Sequence, residues 1–382
     1  MRIGIVKTSL KENERRVPIY PEHLPRFPEP LRSQMVFELN YGSDFGFPDE
    51  YFVAHGASIA PRDTLLADCG LVVLPKPMPE DLAKMRPHQI LFGWPHAVQQ
   101  RAITQQAIDR RLTVIAWEDM HHWSDAGERQ VHVFYKNNEI AGYAAVLHSL
   151  QLLGLDGHYG PRRRIVVLGY GSVSRGAIYA LQGRGFNNIN VFTRRLAHLV
   201  ADQNPDVYHG HYFFGSGGSL MAQASDGTER ALIDELGDAD IICNGILQDA
   251  NNPVMFVHEQ DVSRLKRGSL IIDISCDLGM GFAFARPTTF SDPMFQLEKG
   301  ITYYSVDHTP SYLWDAASRE ISKALLPYLG IVAAGPGAWE ASTTIKRAVE
   351  IQDGIIKNPA ILTFQQRRPD YPHRKQSAVG EA

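Results

Sequence analysis

Cysteine is scarce in this sequence: three residues in 382, Cys69, Cys243 and Cys276, with no C-x-x-C pair among them. So sparse and odd a set argues against a disulfide framework and a structural zinc site, and fits a reducing cytosol. Long apolar runs are missing too. None reaches the roughly 18–20 residues that cross a bilayer. The opening MRIGIVKTSLKENERR lacks the apolar stretch of a signal peptide and reads as a strand followed by a polar loop. Nor does one charge dominate. With 38 basic against 42 acidic residues and a net charge of −4, there is no electrostatic reason to expect nucleic acid or an anionic membrane as partner. Short-period repeats and low-complexity tracts are also absent. What is left is a globular composition at a length that exceeds one ordinary core, so two domains are expected, in the cytoplasm.

Apolar runs alternate with helix-compatible stretches. RIGIVK (2–7), MVFELN (35–40), GLVVLPKP (70–77), QILFGW (89–94) and LTVIAWE (112–118) read as strands. Near-continuous apolar strands separated by helices indicate an α/β fold with parallel sheets. From 139 to 155, EIAGYAAVLHSLQLLGL spaces its apolar residues by three and four and breaks at Gly157, which predicts a helix joining two domains. A second unit follows, with IVVLGYG, INVFTRR, ADIICNGIL and LIIDISC as strands and a loop-heavy insertion over 205–230. After ITYYSVDHTPS, LWDAASREISKALLPYLGIVAA and EASTTIKRAVEIQDGII both read as helical, and the polar, proline-containing segment from 365 to 382 as a mobile tail. The expected organisation is two Rossmann-like doubly wound domains. A substrate domain is built from 1–138 and completed by 309–364, and a dinucleotide-binding domain over 139–308 is inserted into it. A cleft between two such domains is where a cofactor and a substrate can meet.

IVVLGYGSVSRG carries the first chemical signal. Gly169 suits the tight turn, and Gly171 lets the backbone approach a pyrophosphate. The helix that follows, from Ser172 and Val173, offers N–H groups and a partial positive charge. Ser174 stands where the third glycine is expected, and Gly176 two residues on gives slack. About 20 residues later the next strand ends in Thr193, Arg194 and Arg195, where NAD enzymes usually place an acid for the ribose 2′-hydroxyl. Arginine attracts a 2′-phosphate, so the expected cofactor is NADP. A solvated basic turn is the alternative.

Several separated segments resemble the alanine dehydrogenase, transhydrogenase and lysine-forming saccharopine dehydrogenase family, in the family's order: KENERRVPIYPEHL, LVVLPKPMPEDL, LFGWPHA, EIAGYAA, GSLIIDISCDLGMGF with RPTTFSDP, and VDHTPS. The last of these and NGILQDANNP look more like the family's opine-forming branch. The resemblance implies roles. Arg16 would grip the carboxylate of a 2-oxo acid through both oxygens, a surface salt bridge being the alternative for it or for Arg15. Lys76, at a strand's carboxyl end, would orient the carbonyl or move protons. His96 would be the general acid/base, and Asp277 would hold an amine or imine by charge, with Asp273 as rival. His308 stands where alanine dehydrogenases carry asparagine, and Leu-Gly-Met-Gly follows Asp277 in place of Gln-Gly-Gly. These departures point to another polar pocket, in which Asp307 orients His308 or meets a cationic group. Asn244, Gly245, Ile246 and Leu247 would line the cofactor.

The implied activity is NADPH-dependent condensation of a pyruvate-like 2-oxo acid with the amine of an ornithine- or lysine-like amino acid, without a metal. An alanine-dehydrogenase-like enzyme using ammonia, an enzyme of secondary metabolism and a non-catalytic NADP-binding regulator remain as alternatives. Partners are small molecules, and homo-oligomerisation is left open.

Overall fold

The computed structural model describes residues 1–7, 9–223, 227–248 and 252–375. It divides into two units, Met1–Tyr135 with Trp314–Ala382, and Lys136–Leu313. The sequence placed these divisions at 138/139 and 308/309. Each unit holds a predominantly parallel sheet.

In the first unit the strands stand in the order Ile355–Ile356, Val349–Gln352, Thr113–Ala116, Ile90–Gly93, Leu71–Val73, Ile3–Ile5, Met35–Glu38, Ser58–Ala60. Their apolar runs follow from burial on both faces. Ile3, Ile5, Val73 and Phe92 enter one cluster, and Val72, Leu91 and Val114 the other, as the period of two along a strand requires. The chain starts at Ile3–Ile5, winds outward to one side, then returns to build the other. Because Ile5 pairs with Val73 in parallel register, the segments leaving these two strands emerge together at a strand-order reversal, where doubly wound sheets bind ligands.

Two C-terminal expectations need correction. EASTTIKRAVEIQDGII is helical at Glu340–Ala341, the end of the helix Pro336–Ala341, and over Thr343–Ala348, after which Val349–Gln352 and Ile355–Ile356 form a hairpin. Its first strand joins Thr113–Ala116 antiparallel. Asp353 and Gly354 have φ of 51° and 79°, the left-handed pair that a two-residue hairpin turn needs and that Asp-Gly supplies. Residues 365–375, expected as part of a mobile tail, are folded in. Arg367 and His373 are buried, and His373 Nε2 accepts from the Ile356 amide at 3.1 Å. Residues 376–382 of the expected tail lie outside the described residues.

The second unit begins one residue into the helix Tyr135–Leu153, which stops before Gly154 (φ 62°) rather than at Gly157. Its sheet order is Glu229–Ala231, Leu220–Gln223, Tyr208–Phe214, Ile189–Thr193, Ile165–Leu168, Ile241–Asn244, Leu270–Asp273, Thr302–Tyr304, Met294–Gln296. The first strand, Ile165–Leu168, is again central. The expected loop-heavy stretch over 205–230 carries strands along about half its length. Tyr208–Phe214 extends the sheet in parallel, and Leu220–Gln223 and Glu229–Ala231 continue it antiparallel. Aromatic-rich YHGHYFF fits a half-buried pleated surface. Residues 224–226 of that stretch lie outside the described residues.

Candidate active site

The cofactor turn sits at the second unit's own order reversal, between Ile189–Thr193 and Ile241–Asn244. Gly169 has φ 88°, and a Cβ there would meet Ile246 Cγ1 at 2.8 Å. Gly171 caps the helix Ser172–Gly183 and has no heavy atom within 4 Å of a Cβ position. Open space above a 12-residue helix's first turn suits a pyrophosphate. Ser174 substitutes for the third glycine by turning inward. It is fully buried, with its hydroxyl donating to the Leu168 carbonyl at 3.2 Å. The close approach that a third glycine normally allows has moved to Gly176, where a Cβ would fall 1.8 Å from the Glu139 carbonyl oxygen on the preceding helix.

Thr193 donates its hydroxyl to the Arg195 carbonyl at 2.8 Å and shapes the turn. Arg194 and Arg195 are exposed beyond it, with no carboxylate partner among the described residues; the Arg194 guanidinium carbon is 5.7 Å from the Phe214 ring centroid. Val173 borders Gly245, where a Cβ would meet Ser174 Oγ at 2.4 Å, and Leu247 is exposed. Asn244 was expected to line the cofactor. Its side chain is fully buried, donating to Asp273 Oδ1 at 2.9 Å and accepting from the Ile246 amide at 3.2 Å. These two bonds hold the loop.

The same network holds Asp273, the rival to Asp277. Asp273 is fully buried and also accepts from Tyr303; burial pushes its carboxyl up to about 6. Asp277 is half-buried, and burial followed by the charge of Asp307 raises its carboxyl from the ordinary value. The His308 ring lies 5.3 Å from that of Phe290, its Nδ1 4.0 Å from Asp307 Oδ1. Thus Asp277, Asp307 and His308 form one neighbourhood in the second unit.

Lys76, His96 and Arg16 belong to the first unit. Lys76 Nζ lies 2.7 Å from His96 Nε2. An ammonium can only donate, so Nε2 accepts and the imidazole proton sits on Nδ1, which is 3.7 Å from Glu118 Oε1. Both side chains follow strand ends. Lys76 is fastened by Ser9, whose hydroxyl donates to its carbonyl. His96 holds a left-handed φ of 47°, an uncommon state for a side-chain-bearing residue that persists where surroundings enforce it. Here its amide donates to Glu118 Oε1 at 2.6 Å. Arg16 is 2% exposed. Glu14 accepts from its Nε at 2.8 Å and from an Nη at 2.5 Å, and its guanidinium carbon lies 5.2 Å from the Trp94 ring centroid. The salt bridge weighed for this pair of arginines is therefore a buried one on Arg16, whereas Arg15 is exposed and stacks on Trp314 at 4.3 Å.

Glu118 is the residue that sequence reasoning missed. An acidic pair directly after the apolar LTVIAW run, at a parallel strand's carboxyl end, was its signal. Asp119 and Glu350 lie behind it, bridged by Asn358 at 3.4 and 3.0 Å. Burial raises all three acids, Glu118 to about 8 from an ordinary 4.5. Between those two values the unfolded chain has released this proton while the folded chain keeps it, so folding stability falls as pH rises across the window. Glu118→Gln should flatten the thermal midpoint against pH there, as read by calorimetry from about pH 5 to 8. Parallel curves for the two proteins would contradict this.

Two α/β units, with a glycine turn on one and a lysine–histidine pair on the other, accompany family matches that mark an oxidoreductase using a nicotinamide dinucleotide. The chain belongs to the alanine dehydrogenase/PNT family: residues 4–141 match the family's N-terminal domain and 157–359 its C-terminal domain. It is 30% identical over 326 residues to an N(5)-(carboxyethyl)ornithine synthase of Clostridium botulinum, covering 82% of this chain and 89% of that one. An alanine dehydrogenase of Staphylococcus haemolyticus is 25% identical over 347 residues, 87% of each chain. Among solved structures, an L-alanine dehydrogenase superposes with a TM-score of 0.75 over 95% of this chain and 99% of that one, at 23% identity. The fold is therefore that of alanine dehydrogenase. No described helix is long and apolar enough to cross a membrane.

Proposed function

We propose that this protein is an NADPH-dependent reductase that condenses a 2-oxo acid with the amine of an amino acid through an imine. The observation that carries the reading is the Lys76–His96 pair, 2.7 Å apart and braced by Glu118. Forming an imine from a carbonyl and an amine expels water, which takes a proton on the departing oxygen and a proton off the nitrogen. Two adjacent bases, one carrying the proton that the other accepts, suit both transfers. Arg16, held rigid by Glu14 and Trp94, fixes the plane of the 2-oxo acid through its carboxylate. Asp277 steadies the cationic iminium. The bound nicotinamide supplies the hydride for the imine carbon, so that oxo acid, amine, NADPH and a proton give a secondary amine, NADP and water. Arg194 and Arg195 meet the 2′-phosphate. Similarity to carboxyethylornithine synthases over most of the chain supports an amino acid, rather than ammonia, as the amine.

The test is a matrix assay following NADPH absorbance, with 2-oxo acids on one axis and ammonia or amino acids on the other. Pyruvate with ammonia should oxidise NADPH slowly, and ornithine or lysine should raise the rate strongly. Full activity with ammonia and no gain from any amino acid would replace this reading with an alanine dehydrogenase.

A further inference from the structure

A conjugating reductase of the kind just proposed must hold a second carboxylate, that of the amino acid, and Arg16 cannot serve both. Its Nε and one Nη are committed to Glu14 in a buried pair. The residue before it differs in every respect. Arg15 is exposed, has no carboxylate partner among the described residues, and lies with its guanidinium carbon 4.3 Å over the Trp314 ring. A guanidinium with one face on an indole keeps its N–H edges directed outward and gives up little conformational freedom when a carboxylate binds there.

The surroundings keep that platform in place. Trp314 packs edge-on against Phe45 at 5.1 Å, and Phe45 against Tyr20 at 5.0 Å. The Tyr20 hydroxyl donates to Asp315 Oδ1 at 3.1 Å. This ring of contacts therefore ends in an exposed carboxylate one residue along from the indole. Arg15 lies on Trp314 and Asp315 is bonded to Tyr20, so a cation and an anion border the same run of rings, a pairing that complements a zwitterion. The other arginine of this surface, Arg319, stacks on Tyr20 at 3.9 Å but is paired with Glu22 at 3.0 Å, so Arg15 is the donor left for a ligand.

We propose that Arg15 on its Trp314 platform, together with Asp315, is the site that recognises the zwitterionic head of the amino-acid substrate. The carboxylate meets Arg15 and the α-ammonium meets Asp315, which leaves the side-chain amine as the reacting group. This proposal rests on the conjugating reading and extends it. Specificity for a free α-amino acid over the corresponding diamine then resides in Arg15.

Calorimetric titration of the NADP-loaded protein with L-ornithine and with 1,4-diaminobutane tests it. One charge-assisted contact corresponds to about a ten- to hundredfold difference in affinity, so the unmodified protein should bind ornithine at least tenfold more tightly than the diamine. Arg15→Gln should erase that preference, and Arg15→Lys should restore part of it. In turnover, Arg15→Gln should raise the KM for the amino acid about tenfold or more while the KM for pyruvate stays within about twofold. Equal binding of the two amines by the unmodified protein, full discrimination retained by Arg15→Gln, or a rise in the pyruvate KM instead would overturn the assignment. Products collected from the same reactions separate the two claims. Head-group discrimination with alanine as sole product contradicts conjugation but not Arg15, whereas conjugates formed by an Arg15→Gln variant with undiminished discrimination contradict Arg15 alone.

Discussion

His96→Ala and Lys76→Ala are each expected to lower turnover by about 10²-fold or more, with cofactor affinity nearly unchanged. The size of the effect follows from the pair's geometry. At 2.7 Å the lysine proton is shared toward the imidazole, so removing either partner leaves the other without its proton source or acceptor. The selectivity follows from placement, because both residues belong to the first unit and the glycine turn to the second. The double variant should be little worse than either single one, since groups acting as a unit do not add. Steady-state turnover and fluorescence titration of NADPH check both halves. A variant that keeps most of its activity removes that residue from the reaction.

NADPH is expected to bind at least tenfold more tightly than NADH, and Arg194→Ala combined with Arg195→Ala to abolish most of that preference. A charge-assisted hydrogen bond contributes about 1.5–3 kcal/mol, and about 1.4 kcal/mol is tenfold. Both side chains are exposed at the carboxyl end of Ile189–Thr193, so a phosphate meets them at small desolvation cost. They also lack a carboxylate partner among the described residues. Because Thr193 shapes the turn through the Arg195 carbonyl, a backbone atom, the alanine variants should keep the loop and lose only the charge. Comparison of the two cofactors by titration, at fixed ionic strength, reads the effect. Equal affinities in the unmodified protein would contradict an NADP site.

What was legible in the sequence was what depends on short range. Gly169 and Gly171 show because strand, turn and helix are contiguous there, and Lys76 and His96 because each directly follows an apolar strand. The meeting of Lys76 with His96, and of both with Glu118, depends on three strands lying side by side, which no local pattern encodes. Asp273 and Asp277 look alike in IIDISCD, and only the burial of the first against Asn244 and Tyr303 separates them. The C-terminal hairpin was hidden by helix-like spacing in EASTTIKRAVEIQDGII, although its Asp353–Gly354 turn stood in plain view. Arg367 and His373 were misjudged through composition. Polar side chains remain ordered when their hydrogen bonds close inside the protein, as Arg367 does on Gln365 at 2.7 Å.

Mass spectrometry of the product formed from pyruvate, NADPH and ornithine tests conjugation most directly. The account predicts one new species that carries both carbon skeletons, with its mass shifted accordingly when either substrate is isotopically labelled. Alanine as the only product, across ornithine, lysine and every other amine supplied alongside ammonia, would contradict it.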